Sequence, residues 1–179
     1  MTMRSSHLLR SLYGMVIIAV TVVDQVTKVW VQHFLNRVEL FDIIPGFFRL
    51  VLVHNRGALF GLFQEITPPL RTILFLLLPV AVIVVLVWLA WHTAAVDHRN
   101  QWAFALILGG ALGNLIDRIR LGYVIDFLDA YVRLEAEHHW PAFNVADSCI
   151  CIGIALLVAG TWKTRQPILA GEEHVSNSV

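Results

Sequence analysis

A membrane all-α fold is predicted: a four-transmembrane-helix bundle with a small extracytoplasmic β-sheet built from its two long loops. Three features predict it. Of 179 residues, 58% are hydrophobic and only 15% charged, with a mean hydropathy of +0.70, too apolar for a soluble domain of this length. The apolar residues gather into four stretches, approximately 11–31, 72–91, 101–116 and 148–162. The intervening segments 32–71 and 117–147 both carry strand-like runs. The whole chain, 1–179, reads as one integral membrane domain.

The first stretch holds Asp24 and Lys28, four residues apart, so both charges share one helix face and partly neutralise each other. An apolar segment behind Arg4 and Arg10 could be a cleavable signal peptide. This one is long for that role, lacks a small-x-small cleavage pattern and is followed by three more spans, so it reads as a retained helix. The second stretch has no charge over 20 residues. At about 1.5 Å rise per residue it covers the roughly 30 Å hydrocarbon core. The third and fourth, at 16 and 15 residues, span only if Asp117-Arg118 and Asp147 lie at the interface or in a wet cleft.

Four spans put both termini on one side of the membrane. The Lys and Arg count runs against a cytoplasmic placement: Arg4, Arg10, Arg99, Lys163 and Arg165 on that side face seven arginines on the other. Those seven are spread over long loops that also carry acids, whereas the first ten residues hold two arginines and no acid. Short flanks and the first helix dominate orientation, which favours cytoplasmic termini. Cys149 and Cys151 are too close for a mutual disulfide and read as buried apolar thiols. No clustered Cys or His completes a metal site, and a net charge of zero gives no footprint for nucleic acid.

In the first long loop Pro45-Gly46 reads as a turn into a strand over Phe47 to Val53. Asn55-Arg56-Gly57-Ala58 follows, with small residues that permit close backbone approach, and Pro68-Pro69 breaks the chain before the second span. In the second loop Tyr123 to Leu128 is strand-like, while Asp129 to His139 is ambiguous between strand and helix. A sheet over the bundle could hold an extended peptide by edge pairing.

The polar residues of the spans fall at one end of the bundle. Asp24 lies towards the exit of the first span, Asn55 follows it, Asn114, Asp117 and Arg118 end the third, and Asn144 and Asp147 open the fourth. Asn114, Asp117 and Arg118 project from one helix face, and Gly109, Gly110 and Gly113 permit close helix packing beside them. Each element has a plain structural alternative. Asp24 with Lys28, and Asp117 with Arg118 or Arg120, can be ion pairs, and Asp147-Ser148 can be a helix N-cap. Intramembrane Asp, Asn and Arg also mark ion paths, but no polar track crosses the second span.

Asp126, in Val124-Ile125-Asp126-Phe127, and Asp147, in Phe143-Asn144-Val145-Ala146-Asp147-Ser148, suit another chemistry. Two close carboxylates cannot easily both ionise, so they share a proton. One then activates water while the other protonates the carbonyl or leaving amine of a peptide bond. A helix N-terminus favours the anion at Asp147, making it the candidate base and Asp126 the acid, an assignment that can invert.

Taken with Asp24-x-x-Thr27-Lys28, Asn55-x-Gly57-Ala58, Gly113-Asn114-x-x-Asp117-Arg118 and Pro141 to Ser148, the chain resembles the lipoprotein signal peptidases, or signal peptidase II, from Asp24 to about Trp162. The resemblance implies a bacterial inner-membrane aspartyl peptidase with Asp126 and Asp147 as its catalytic dyad. Asp24, Lys28, Asn55, Gly57, Asn114, Asp117, Arg118 and Asn144 become substrate-binding or supporting groups. The implied substrate is a prolipoprotein whose lipobox cysteine carries diacylglycerol, met among membrane lipids and cut just before that cysteine. The family needs no metal or cofactor and is inhibited by the cyclic peptide globomycin. Arg133 to His139 and the tail after Gly171 belong to no motif.

Overall fold

The computed structural model describes residues 3–36, 38–56, 67, 70, 73–93, 98–133 and 136–176. Gly57, Ala58 and the Pro68-Pro69 break lie outside the described residues. Among the described residues four long helices form the body: α1 (Met3–Leu35), α2 (Leu78–Thr93, entered through a π-helical turn, Ile73–Leu77), α3 (His98–Leu121) and α4 (Val145–Ser176). Among the described residues three segments, Ser11–Leu35, Ile73–Ala90 and His98–Leu121, are long and apolar enough to cross a membrane, and Val145–Gly160 is a shorter apolar helix. The third and fourth helices run well past the apolar stretches that announced them, 101–116 and 148–162. Their polar ends stay helical because Asn114, Asp117 and Asp147 find partners on other elements.

Helix α3 packs against α1, α2 and α4. Its glycines make that possible. A Cβ on Gly113 would lie 2.5 Å from Asp24 Oδ2 on α1, and one on Gly110 would run into the Ala146 carbonyl of α4. The helix then stops at Gly122, which adopts φ +77° and gives its N–H to the Arg118 carbonyl at 3.1 Å.

An antiparallel four-stranded sheet, in the order β1-β2-β3-β4, joins this bundle: β1 (Phe41–Ile44), β2 (Phe48–Asn55), β3 (Val124–Arg133) and β4 (Glu137–His139). Strands β2 and β3 follow the expected runs, whereas β1 is new, and the ambiguous stretch after Asp129 continues β3 and turns back as β4. Pro45 and Gly46 form the β1–β2 turn, with Gly46 at φ +83° and the Phe47 N–H returning to the Ile44 carbonyl at 3.0 Å. Val31 and Leu35 of α1 pack with Leu50 of β2 and Phe127 of β3, with Val145 at their margin. This small core fixes the end of α1, the sheet and the start of α4 in one place.

The two cysteines depart from expectation. Cys149 is only partly buried and Cys151 is exposed. Helix α4 turns one side to α3, so an apolar residue elsewhere on its circumference faces outward, as membrane-facing residues do.

Candidate active site

Asp126 is the third residue of β3, opposite Val53 of β2, and Asn55 is its diagonal neighbour on the same face of the sheet. That register lets Asn55 Nδ2 donate to Asp126 Oδ2 at 2.8 Å. A second backbone link brings in the start of α4. The N–H of Phe143 donates to the Leu128 carbonyl at 2.9 Å, and the N–H of Leu128 returns to the Phe143 carbonyl at 2.8 Å. With Phe143 stitched there, Asn144 Nδ2 reaches Asp126 Oδ1 at 2.7 Å.

Asn144 is also the N-cap of α4. Its Oδ1 accepts the Asp147 N–H at 2.9 Å, while Asp147 Oδ2 accepts the Asn144 N–H at 3.2 Å. The pair is a reciprocal capping box, so Asp147 is the third helical residue and not the cap that Asp147-Ser148 suggested. Its other oxygen, Oδ1, accepts from Asn114 Nδ2 at 2.8 Å. One asparagine therefore holds both carboxylates, Asp126 through its side chain and Asp147 through its cap.

The two carboxyl groups differ in exposure: Asp126 is 2% exposed, whereas Asp147 is only partly buried. Burial is the largest influence on Asp126 and raises it from the usual carboxylate range to about 6, with the Asp147 charge adding to the rise. Hydrogen bonds from Asn55 and Asn144 oppose it. Asp126 is thus suited to hold a proton near neutrality. Asp147 receives two donors at a helix N-terminus and is the more open to solvent.

Beneath this pair lies a layer of charges. Lys28, 1% exposed, donates to Asp24 Oδ2 at 2.8 Å, Asp117 Oδ2 at 2.8 Å and Asn114 Oδ1 at 2.9 Å. Asp24 uses its other oxygen to accept the Ala146 N–H of α4 at 3.0 Å. Asp117 accepts from the Ile125 N–H at 3.2 Å and from Gln25 Nε2 at 2.8 Å. The expected ion pair of Asp117 with Arg118 or Arg120 is therefore replaced by one with Lys28 of α1. Adjacent residues on α3 point in different directions, and only Lys28 is buried with the carboxylate. Arg118 gives a hydrogen bond to the Asn114 carbonyl at 3.3 Å, and its charge acts on Asp147 and Asp126.

Asp24, Lys28, Asn55, Asn114, Asp117, Arg118, Asp126, Asn144 and Asp147 thus form one connected group. Gln25 and Thr21 were not foreseen. Gln25 Nε2 also reaches the Gly113 carbonyl at 3.1 Å, and Thr21 Oγ1 donates to the Gly109 carbonyl at 3.0 Å, so both hold α1 to α3. The signal was available: residues 21, 24, 25 and 28 are polar at helical spacing in an otherwise apolar span.

A family model described as Signal peptidase (SPase) II matches residues 16–163. The chain belongs to the signal peptidase II family. The lipoprotein signal peptidase of Geobacter sulfurreducens is 41% identical over 146 residues, covering 82% of this chain and 88% of that protein. That of Desulforapulum autotrophicum is 44% identical over 135 residues, covering 75% and 82%. That of Syntrophotalea carbinolica is 40% identical over 144 residues, covering 80% and 86%. A solved bacterial membrane enzyme, determined by the in meso method at 2.3 Å resolution, matches with a TM-score of 0.70 at 28% identity, over 86% of this chain and 88% of that one. This signal peptidase II is accordingly an aspartic-type protease and a multi-pass membrane protein that removes signal peptides from prolipoproteins.

Proposed function

We propose that the chain cleaves diacylglyceryl-modified prolipoproteins just before the lipid-bearing cysteine, with Asp126 and Asp147 activating water as a dyad. The observation that carries this reading is Asn144, which contacts both carboxylates. Asp126, raised to about 6, is the proton donor to the leaving group or carbonyl, and Asp147 is the base that takes a proton from water. Asn55, Asn114 and Asn144 aim amide donors at the dyad, and Arg118 supplies positive charge beside it. By family resemblance Gly57 is a further substrate-binding or supporting residue, and globomycin an inhibitor.

Four spans form a single membrane domain with both termini in the cytoplasm, and the sheet, with the dyad beneath it, lies at the outer face of the inner membrane. The lipid anchor of the substrate stays among membrane lipids while its peptide enters sideways under the sheet. Asp126→Asn and Asp147→Asn each keep shape but cannot exchange the proton. Each is expected to abolish cleavage of a diacylated test prolipoprotein in a gel-shift assay while membrane insertion persists. Near wild-type processing by either variant would remove the dyad. For orientation, cysteines at Glu39 and His92, with Cys149 and Cys151 replaced by serine, are compared in intact spheroplasts. A membrane-impermeant thiol reagent is expected to label position 39 only, and the reverse pattern would overturn the topology.

A further inference from the structure

We infer that Lys28 is a positioning residue that sets the direction of the Asn114 carboxamide and, through it, the hydrogen bond that Asp147 receives. The inference rests on the reading of Asp126 and Asp147 as the catalytic pair. An ammonium carries three donors and no acceptor. Here all three are used, on Asp24, Asp117 and Asn114 Oδ1. A carboxamide can be turned end for end at little steric cost, so its direction must come from its neighbours. Facing Lys28, the Asn114 oxygen is the end that can accept, which leaves its NH2 for Asp147 Oδ1 at 2.8 Å. The reversed amide would set NH2 against an ammonium and oxygen against a carboxylate, in a site where Lys28 is 1% exposed and water cannot relieve the mismatch.

Asn144 alone cannot impose that direction. Its NH2 comes within 3.1 Å of Asn114 Oδ1, but its two hydrogens are shared with Asp126 Oδ1 at 2.7 Å and the Ile125 carbonyl at 3.3 Å. Lys28 also steadies the helix that bears Asp147, since its partner Asp24 accepts the Ala146 N–H in the first turn of α4. The charged and polar groups around the two residues come from every neighbouring element. Asp24 of α1 and Asp117 and Asn114 of α3 face Lys28. Asn114 and Arg118 of α3, Asp126 of β3 and the cap residue Asn144 face Asp147.

The test is a coupling measurement in the full-length enzyme. Lys28→Met combined with Asp117→Asn keeps the buried net charge of the Asp24, Lys28 and Asp117 group at minus one. Steady-state cleavage of a diacylated prolipoprotein is followed across pH, with and without Asn114→Ala. The combined variant is expected to lose roughly tenfold to a hundredfold in kcat with KM within about twofold, since the lipid and peptide contacts are untouched. Adding Asn114→Ala costs nothing further, because Lys28 acts through that residue. Fully additive losses, or a kcat that stays within about twofold of wild type, overturn the inference. Should the combined variant fail to fold, Asn114→Asp keeps an acceptor for Lys28 while removing the donor to Asp147. A comparable fall in kcat at nearly unchanged KM is then expected, and an unchanged kcat is fatal. Activity retained by Asp147→Asn would instead refute the dyad itself, so the two failures are distinct.

Discussion

Two clusters in this molecule pair cations with carboxylates in different surroundings. Below the dyad, Lys28 lies 2.8 Å from both Asp24 and Asp117, with side-chain exposures of 0–3%. On the sheet, Arg49 meets Asp129 at 2.9 Å and Glu137 at 3.3 Å, Arg133 meets Glu137 at 2.6 Å, and His139 Nδ1 faces Asp129 at 3.0 Å, with exposures rising to 63% at Arg133. The contact distances are alike, so what separates the clusters is water. In the buried one each charge depends on its partners for the solvation it has lost, and removing one strands the rest. In the sheet cluster solvent reaches Glu137, His139 and Arg133 and replaces a partner that leaves them, Glu137 has both Arg49 and Arg133, and only Asp129, with 7% of its side chain exposed, relies on its partners. The first cluster clamps α1 to α3 and α4. The second fastens β4 to its neighbours and adds only incremental stability.

That contrast can be broken most directly at Lys28. Lys28→Met, with Asp24 and Asp117 left intact, is expected to lower unfolding stability in detergent by about 3–5 kcal/mol. A loss no larger than that of a surface pair would mean the buried cluster is open to water after all.

Asp126 sharpens the comparison, because it is as buried as Asp24 but partnered by amides. Its folded-state value of about 6 lies above the ordinary 3.8, so the native state holds the proton that the unfolded chain releases between these pH values. Wild-type stability therefore falls as pH rises from about 4 to 6. Asp126→Asn, which lacks the proton, should gain on wild type by about 2 kcal/mol over that interval. Parallel melting curves at the two pH values check this, and a constant difference would contradict it. In activity, kcat/KM of the wild type is expected to decline above about pH 6 as Asp126 ionises, giving the alkaline limb of a bell-shaped profile.

Gly113→Ala sets a methyl group against the Asp24 carboxylate that pairs with Lys28. A loss of about 1–3 kcal/mol is expected, read as a lower unfolding midpoint. The smallest effect belongs to the sheet. Arg133→Ala should leave the unfolding midpoint almost unchanged. A larger cost would place the sheet cluster in the same class as the buried one.

Much of this was determined by the sequence alone. A charge-free run of 20 apolar residues suits a membrane because helical geometry makes it long enough, and each polar residue in such a chain stands out against its surroundings. Asp126, Asp147 and the Asn114, Asp117 and Arg118 face were legible for that reason, and the Thr21, Asp24, Gln25 and Lys28 stripe was present to be read. Tertiary structure decided the partners. Helical periodicity says which face a side chain occupies, not what stands opposite it about 90 or 120 residues away. It therefore could not assign Asp117 to Lys28 over its neighbouring arginines, or bring the Ala146 amide to Asp24. Nor could a local pattern show that Asn144 caps α4 with Asp147 while holding Asp126. That geometry exists only because Phe143 is bonded to β3 beside it. Strand β1, too short and too exposed to carry an alternating pattern, takes its form from pairing with β2, and Cys151 faces outward because four helices cannot bury every apolar side chain they carry.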